Sequence, residues 1–320
     1  MDSTQYQLSV VVPVYNNERG VPVLVERLAQ TLPAMATHYE VILVNDGSRD
    51  GSWDRIKAAV HDHTWVRGIN LMRNYGQHNA LLCGIRAAKY DLTVTLDDDL
   101  QNPPEEIPKL LARLAEGFDV VYGAPQREQH GLLRDAASQV TKLVLQNAMG
   151  VAAAREVSAF RVFRTRIRTA FENFQAPYVS IDVLLTWGTS RFAAVRVRHD
   201  TRQIGVSTYT LQKLIAHMFN MMTGFSALPL QVASLLGLVF SLFGLLVFVY
   251  VIVTYIIRGG IVPGFTFLAS VIAVFAGIQL FAVGMIGEYL ARMHFRTMNK
   301  PAYVVEENTS SSQEQGPLRQ

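Results

Sequence analysis

Along the first two hundred residues, short β-branched apolar runs alternate with stretches whose apolar residues recur at helical spacing. The runs at 8–14, 40–44, 66–70, 92–96 and 119–122 read as buried strands with helices between them. That alternation predicts an α/β domain on a largely parallel sheet, over residues 1–205. No internal repeat is visible. The pattern changes after Lys213: residues 214–257 contain no Lys, Arg, Asp or Glu, and neither do residues 259–287. Each stretch can supply the roughly 20 apolar residues that a bilayer-spanning helix needs. Two spans are therefore predicted, at 229–257 and 263–286, in a transmembrane hairpin over 229–290. A pair of buried core helices is the alternative, but such helices seldom run this far without a charge.

Just before the hairpin, Leu211, Leu214, Ile215, Met218, Phe219, Met222 and Phe225 recur at helical spacing. They define a juxtamembrane amphipathic helix over 206–228, which fits either the membrane interface or packing on the soluble domain. Arg196, Arg198, Arg202 and Lys213 precede the first span, and Arg292, Arg296 and Lys300 follow the second, while the hairpin tip carries only Arg258. The positive-inside rule then places both termini and the N-terminal domain in the cytoplasm. The first residues have neither a basic leader nor a long apolar run, in keeping with that orientation. Residues 291–320 form a cytoplasmic tail, of which the polar, Ser/Gln-rich stretch 306–320 is expected to be disordered.

Composition agrees with a soluble domain joined to a membrane piece. The chain has 320 residues, of which 50% are hydrophobic and 17% charged. These proportions exclude collagen, a disulfide-stapled mini-domain and an intrinsically disordered chain. The single cysteine, Cys83, permits no intramolecular disulfide. A net charge of +3 is too small to argue for nucleic acid as a partner.

The strongest chemical signal is LDDDLQNPPEE at 96–106. Asp97, Asp98 and Asp99 directly follow an apolar strand, so they fall at the carboxyl end of the sheet, where α/β folds bind their ligands. Carboxylates this close repel one another. Asp97 and Asp99, two apart, can share a hard divalent cation, Mg²⁺ or Mn²⁺; a solvated, helix-capping acidic turn is the other reading. PVYNNE at 13–18 and VNDGSRDGS at 44–52 end the first two strands with aromatic, amide and carboxylate groups. Such groups stack a base and hold a ribose, although the second stretch alone also reads as a turn and helix cap.

PVYNNE, VNDGSRDGS, RNYGQHNAL (73–81) and LDDDLQNPPEE, in that order and followed by two apolar spans, resemble the family 2 glycosyltransferases that load polyprenyl phosphates. The resemblance covers nearly the whole chain. It implies a Rossmann-like GT-A nucleotide-sugar-binding domain, an interfacial helix and two transmembrane helices in the bacterial cytoplasmic membrane. The implied reaction is inverting transfer of a sugar from a nucleotide sugar, UDP-linked in preference to GDP-linked, to undecaprenyl phosphate. The product would serve cell-envelope glycan or lipid modification, including that of lipopolysaccharide. Carried over by position, the resemblance assigns the nucleoside to Pro13, Tyr15, Glu18, Asp46 and Asp98. It assigns the metal and diphosphate to Asp97, Asp99 and Gln101. Arg134 and Ser138, in LLRDAASQ, and Arg202, in RQIGVSTY, match the acceptor-phosphate contacts, and Arg134 and Arg202 join Asp97 and Asp99 as the catalytic set. Arginine suits phosphate because its fork donates two parallel hydrogen bonds.

The chain departs from the family pattern at three places. Pro125 stands where an arginine is usual, with Arg127 nearby; Ala159 precedes Phe160-Arg161 without an acidic residue; and Thr208 replaces a lysine of the acceptor loop. His78 reads as a donor contact or a surface histidine, and Cys83 as a small buried apolar residue. A processive polysaccharide synthase and a non-catalytic nucleotide-sugar-binding scaffold are the rival functions. The first needs more spans and a fuller acceptor motif than Leu185-Thr186-Trp187-Gly188 offers. A homo-oligomer is compatible with two spans per chain.

Overall fold

The structure is a computed structural model; it describes residues 6–125, 156–176, 179–200, 228–258, 264–298 and 300–310. The chain divides into two units, one of residues 1–211 with 299–320 and the other of 212–298.

The first unit is built on an eight-stranded sheet. Its strands are β1 (Tyr6–Val14), β2 (Ala36–Asn45), β3 (Val66–Leu71), β4 (Leu92–Thr95), β5 (Val120–Pro125), β6 (Arg161–Arg164), β7 (Phe192–Val197) and β8 (Val305–Ser310). Spatially they run β7-β5-β6-β4-β1-β2-β3-β8. The helices are α1 (Gly20–Thr31), α2 (Ser52–Asp62), α3 (Gln77–Ala87), α4 (Ile107–Ala115) and α5 (Ile181–Thr186). The first five strands fall where the apolar runs predict them, because β1, β2 and β4 are buried almost throughout and need apolar side chains on both faces.

Three strand pairings differ from the expected parallel sheet. The pairs β1–β2, β1–β4, β2–β3 and β5–β7 are parallel, whereas β6 inserts antiparallel between β4 and β5. The third exception is β8, antiparallel to β3. It corrects the expectation of a disordered tail: residues 305–310 form an edge strand that takes up the outer hydrogen-bonding groups of β3. An unpaired β3 edge would otherwise be open to another chain.

Leu8, Val10, Val12, Leu24, Leu28, Leu43, Ile56, Val94, Leu110 and Phe160 lie in one continuous core. On the sheet face that α3 covers, Gly84 permits the close approach of helix to strand, since a Cβ there would lie 2.3 Å from Val11 Cγ1. At the amino edge of β5, the buried Asp119 accepts hydrogen bonds from Thr189, Arg164 and Arg191. Burial pushes its pKa up, but the hydrogen bonds from Arg191 and Thr189 and the charges of Arg191 and Arg164 outweigh that and hold it low. Its contribution to stability is therefore complete above the ordinary Asp value of about 3.9 and is lost as pH falls through the depressed one. Asp119→Asn is expected to flatten the acid limb of a plot of Tm against pH; a limb of unchanged steepness would contradict this.

The second unit contains two long helices, α6 (Leu228–Arg258) and α7 (Phe265–Thr297). Within α6, Leu230–Ile257 is long and apolar enough to cross a membrane. Leu246, Tyr250, Ile256 and Ile257 are each more than two-thirds exposed there, an apolar surface of the kind that marks membrane or protein contact. The apolar segment of α7 is shorter, Phe275–Ala291 among the described residues. The two helices touch where Phe240 meets Phe275 edge to face, with ring centroids 6.1 Å apart.

Candidate active site

Adjacent parallel strands β4, β1 and β2 end at Thr95, Val14 and Asn45, so the motifs that follow them emerge side by side on one edge. The β1–β4 ladder stops at the Val11–Thr95 pair. Pro13, buried two residues further on, therefore occupies a central strand without costing that ladder a hydrogen bond. Tyr15 follows, 47% exposed and available for stacking. Asn16 (φ 51°) and Leu100 (φ 59°) are the non-glycine residues with left-handed backbone among the described residues. Both lie in these loops. Strain of this kind persists only where the surroundings over-determine it, and it gathers at ligand sites.

The loops are braced against one another. The Asn16 N–H donates to Ser48 Oγ (2.9 Å), the Arg49 N–H to Asn16 Oδ1 (2.8 Å) and the Asn17 N–H to Ser52 Oγ (2.9 Å). Asn17 Nδ2 donates to the Asp98 carbonyl at 2.8 Å, tying the end of β1 to the acidic triplet. Glu18 is half-buried and pairs with Arg55 of α2 at 3.1 Å.

Asp46 is 2% exposed, and its two oxygens accept the N–H groups of Tyr75 (2.7 Å) and Gly76 (2.9 Å). Burial pushes its carboxyl pKa up, and the two amides oppose the rise. Asp46 thus anchors the loop between β3 and α3. Gly47 completes the fit, with φ at +63° and the backbone of Arg73 in the space a side chain would fill. From the same loop Gln77 Nε2 donates to Asp97 Oδ1, and the Arg73 guanidinium lies 4.6 Å above the Tyr75 ring. In the sequence, the RNYGQHNAL stretch marks this loop without distinguishing Arg73, Tyr75 and Gln77.

Asp97 is partly exposed, whereas Asp99 is 8% exposed and accepts the Gln101 N–H at 3.1 Å. The Gln101 carbonyl accepts from Asp200 N–H at 2.8 Å, which fixes the loop to the segment after β7. No group of three or more His, Cys, Asp or Glu suited to a metal occurs among the described residues. Two carboxylates at a partly open strand end nevertheless match the way Mg²⁺ binds with substrate phosphates, through one or two protein carboxylates.

Beneath the triplet, Thr95 Oγ1 donates to the Ala159 carbonyl at 2.7 Å. Arg161, in register with Thr95 and Tyr122, is 1% exposed and paired with Asp182 of α5; Tyr122 Oη donates to the same carboxylate oxygen at 3.0 Å. Arg161 Nε also donates to the Ala159 carbonyl at 3.4 Å, so the one arginine meets both Asp182 and the backbone at 159. Pro125 ends β5, its carbonyl accepting from Arg196 at 2.9 Å. Arg134, Ser138, Arg202, Arg127 and Thr208 lie outside the described residues.

The mixed α/β sheet, with carboxylates at the carboxyl end of a central strand, is a GT-A-like fold. Glucosyl-3-phosphoglycerate synthase from Mycobacterium tuberculosis, solved with Mn²⁺, uridine diphosphate and glucosyl-3-phosphoglycerate, shares it. The TM-score is 0.52 at 19% identity, over 68% of this chain and 78% of that one. Residues 9–173 match Glycosyl transferase family 2. Several relatives carry the name undecaprenyl-phosphate 4-deoxy-4-formamido-L-arabinose transferase. The protein of Yersinia enterocolitica is 34% identical, over 96% of this chain and 97% of its own. That of Serratia proteamaculans is 36% identical over 94% and 93%, and that of Aeromonas hydrophila 35% over 98% and 97%. The chain belongs to glycosyl transferase family 2, as its ordered motifs imply, and is a glycosyltransferase.

Proposed function

We propose that this protein transfers a sugar, with inversion, from a UDP-sugar to undecaprenyl phosphate. The observation that carries the reading is the convergence of PVYNNE, VNDGSRDGS and LDDDLQNPPEE on one sheet edge, in a chain whose full-length relatives are named for that acceptor. The donor is a modified pentose of the kind in those relatives' names, and GDP-linked hexoses are the competing class.

The nucleoside stacks on Tyr15 and meets Pro13, Glu18, Asp46 and Asp98, beside the Arg73–Gln77 loop that bonds to Asp46 and Asp97. Asp97 and Asp99, with Gln101 alongside, would hold a divalent cation, Mg²⁺ or Mn²⁺, which when bound would supply positive charge against the departing diphosphate. The acceptor is a phosphate monoester with a second pKa near about 6, already largely ionised at neutral pH. Its oxygen attacks the anomeric carbon directly while the bond to the nucleoside diphosphate breaks. A strong general base is unnecessary, which explains how the enzyme works with alanine at 159 and with Asp182 committed to Arg161.

Arg134, Ser138 and Arg202 bind the acceptor phosphate. The juxtamembrane stretch 206–228 lies, but for its last residue, outside the described residues, and α7 forms a second span beside α6. The catalytic domain and both termini face the cytoplasm of a bacterium, and the product feeds cell-envelope modification. The reading is tested by following label from a nucleotide sugar into lipid. Its acceptor half is tested by Arg202→Ala, expected to raise the KM for lipid by about tenfold or more while leaving that for the donor within about twofold. Equal KM values in variant and wild type would show Arg202 to be a surface charge.

A further inference from the structure

The tail strand β8 does more than cover an edge. Its register on β3 pairs Asn70 with Glu307 and Leu71 with Val305, so Glu306 is the extra residue of a bulge. Bulges re-aim side chains, and here the Glu306 carboxylate accepts from Asn70 Nδ2 at 2.8 Å. The Asn70 carbonyl oxygen Oδ1 in turn accepts from Asn45 Nδ2 at 2.7 Å, next to Asp46. One residue past β3, the Met72 N–H donates to the Val304 carbonyl at 3.0 Å.

The same segment also grips α3. Tyr303 meets Cys83, and Arg86 lies over the Tyr303 ring at 5.7 Å and donates to its hydroxyl at 3.4 Å. Residues 303–306 therefore hold both the strand that enters the Arg73–Gln77 loop and the helix that leaves it. That loop delivers two amides to Asp46 and one side chain to Asp97.

We propose that the segment Tyr303–Glu306, which follows α7 in the chain, positions the Arg73–Gln77 loop and thereby sets the affinity for the nucleotide-sugar donor, with Glu306 and Tyr303 as positioning residues. The affinity half rests on the donor site proposed above; the positioning half rests on geometry alone.

The test uses the full chain in detergent, comparing wild type, Tyr303→Ala/Glu306→Ala and Glu306→Gln. Backbone hydrogen exchange in the peptide covering residues 72–77 should speed up by roughly tenfold or more in the double variant, while peptides of β1 and β2 exchange as in wild type. The donor KM should rise roughly tenfold with the lipid KM unchanged. Glu306→Gln, which keeps the oxygen that Asn70 donates to, should stay within about twofold of wild type in both readouts. Faster exchange confined to β3 and β8, with an unaltered donor KM, would reduce the segment to an edge cover and overturn the proposal. If wild type transfers no sugar yet the loop still loosens, the positioning stands and the assignment of the reaction fails.

Discussion

Asp99→Asn is expected to slow sugar transfer by about a hundredfold or more while leaving the fold intact. The asparagine keeps an oxygen where Asp99 Oδ1 accepts the Gln101 N–H, so the turn after β4 survives. What it removes is one of the two carboxylates proposed to hold a cation against the donor diphosphate, leaving Asp97 of that pair. Loss of one pre-organised electrostatic contact to a developing charge typically costs about 10²–10³ in rate. Paired measurements of kcat and Tm decide the matter. A variant that melts like wild type and turns over like wild type would remove Asp99 from the site.

Asp182→Ala should cost stability rather than chemistry alone. Arg161 is 1% exposed and Asp182 5%, and the pair is closed by the Tyr122 hydroxyl. Deleting the carboxylate strands a guanidinium in the core beside the end of β4, and breaking a buried pair in this way costs about 3–5 kcal/mol. For a domain of this size that is a fall in Tm on the order of 10 °C. Replacing the whole cluster with apolar residues, as in Arg161→Met/Asp182→Leu/Tyr122→Phe, should recover most of the loss, since it leaves neither an unpaired charge nor an orphaned hydroxyl. Thermal unfolding of the three proteins tests this. A single variant as stable as wild type would mean that water reaches Arg161.

The parts of this molecule that were legible in its sequence are those that depend on burial from both sides. Strands β1 to β5 announce themselves because a central strand in such a sheet has no polar face. Strand β6, Arg-Val-Phe-Arg, carries two arginines whose partners, Asp182 and Asp119, come from distant positions, so its pattern reads as loop. Strand β8 is more deceptive still. Val-Glu-Glu-Asn-Thr-Ser has the composition of a disordered tail, and only the open edge of β3 gives it a reason to be extended.

The site divides in the same way. The order of the motifs brings Tyr15, Asp46 and Asp97–Asp99 to one edge, as the sequence leads one to expect. Sequence does not disclose that Asp46 spends both oxygens on the amides of Tyr75 and Gly76, because backbone partners leave no residue-type signature. The cross-braces from Asn16 and Asn17 to Ser48 and Ser52 are silent for the same reason: either turn alone explains its own asparagines and serines.

The most direct test offers undecaprenyl phosphate, Mg²⁺ or Mn²⁺, and a panel of sugar-labelled UDP- and GDP-sugars, modified pentoses included, to the detergent-solubilised enzyme. The account predicts that label from a UDP-linked pentose passes into the organic phase, and that it stays aqueous with Asp99→Asn. Label that remains aqueous with every donor, from a wild-type protein that still binds nucleotide sugar, would contradict it.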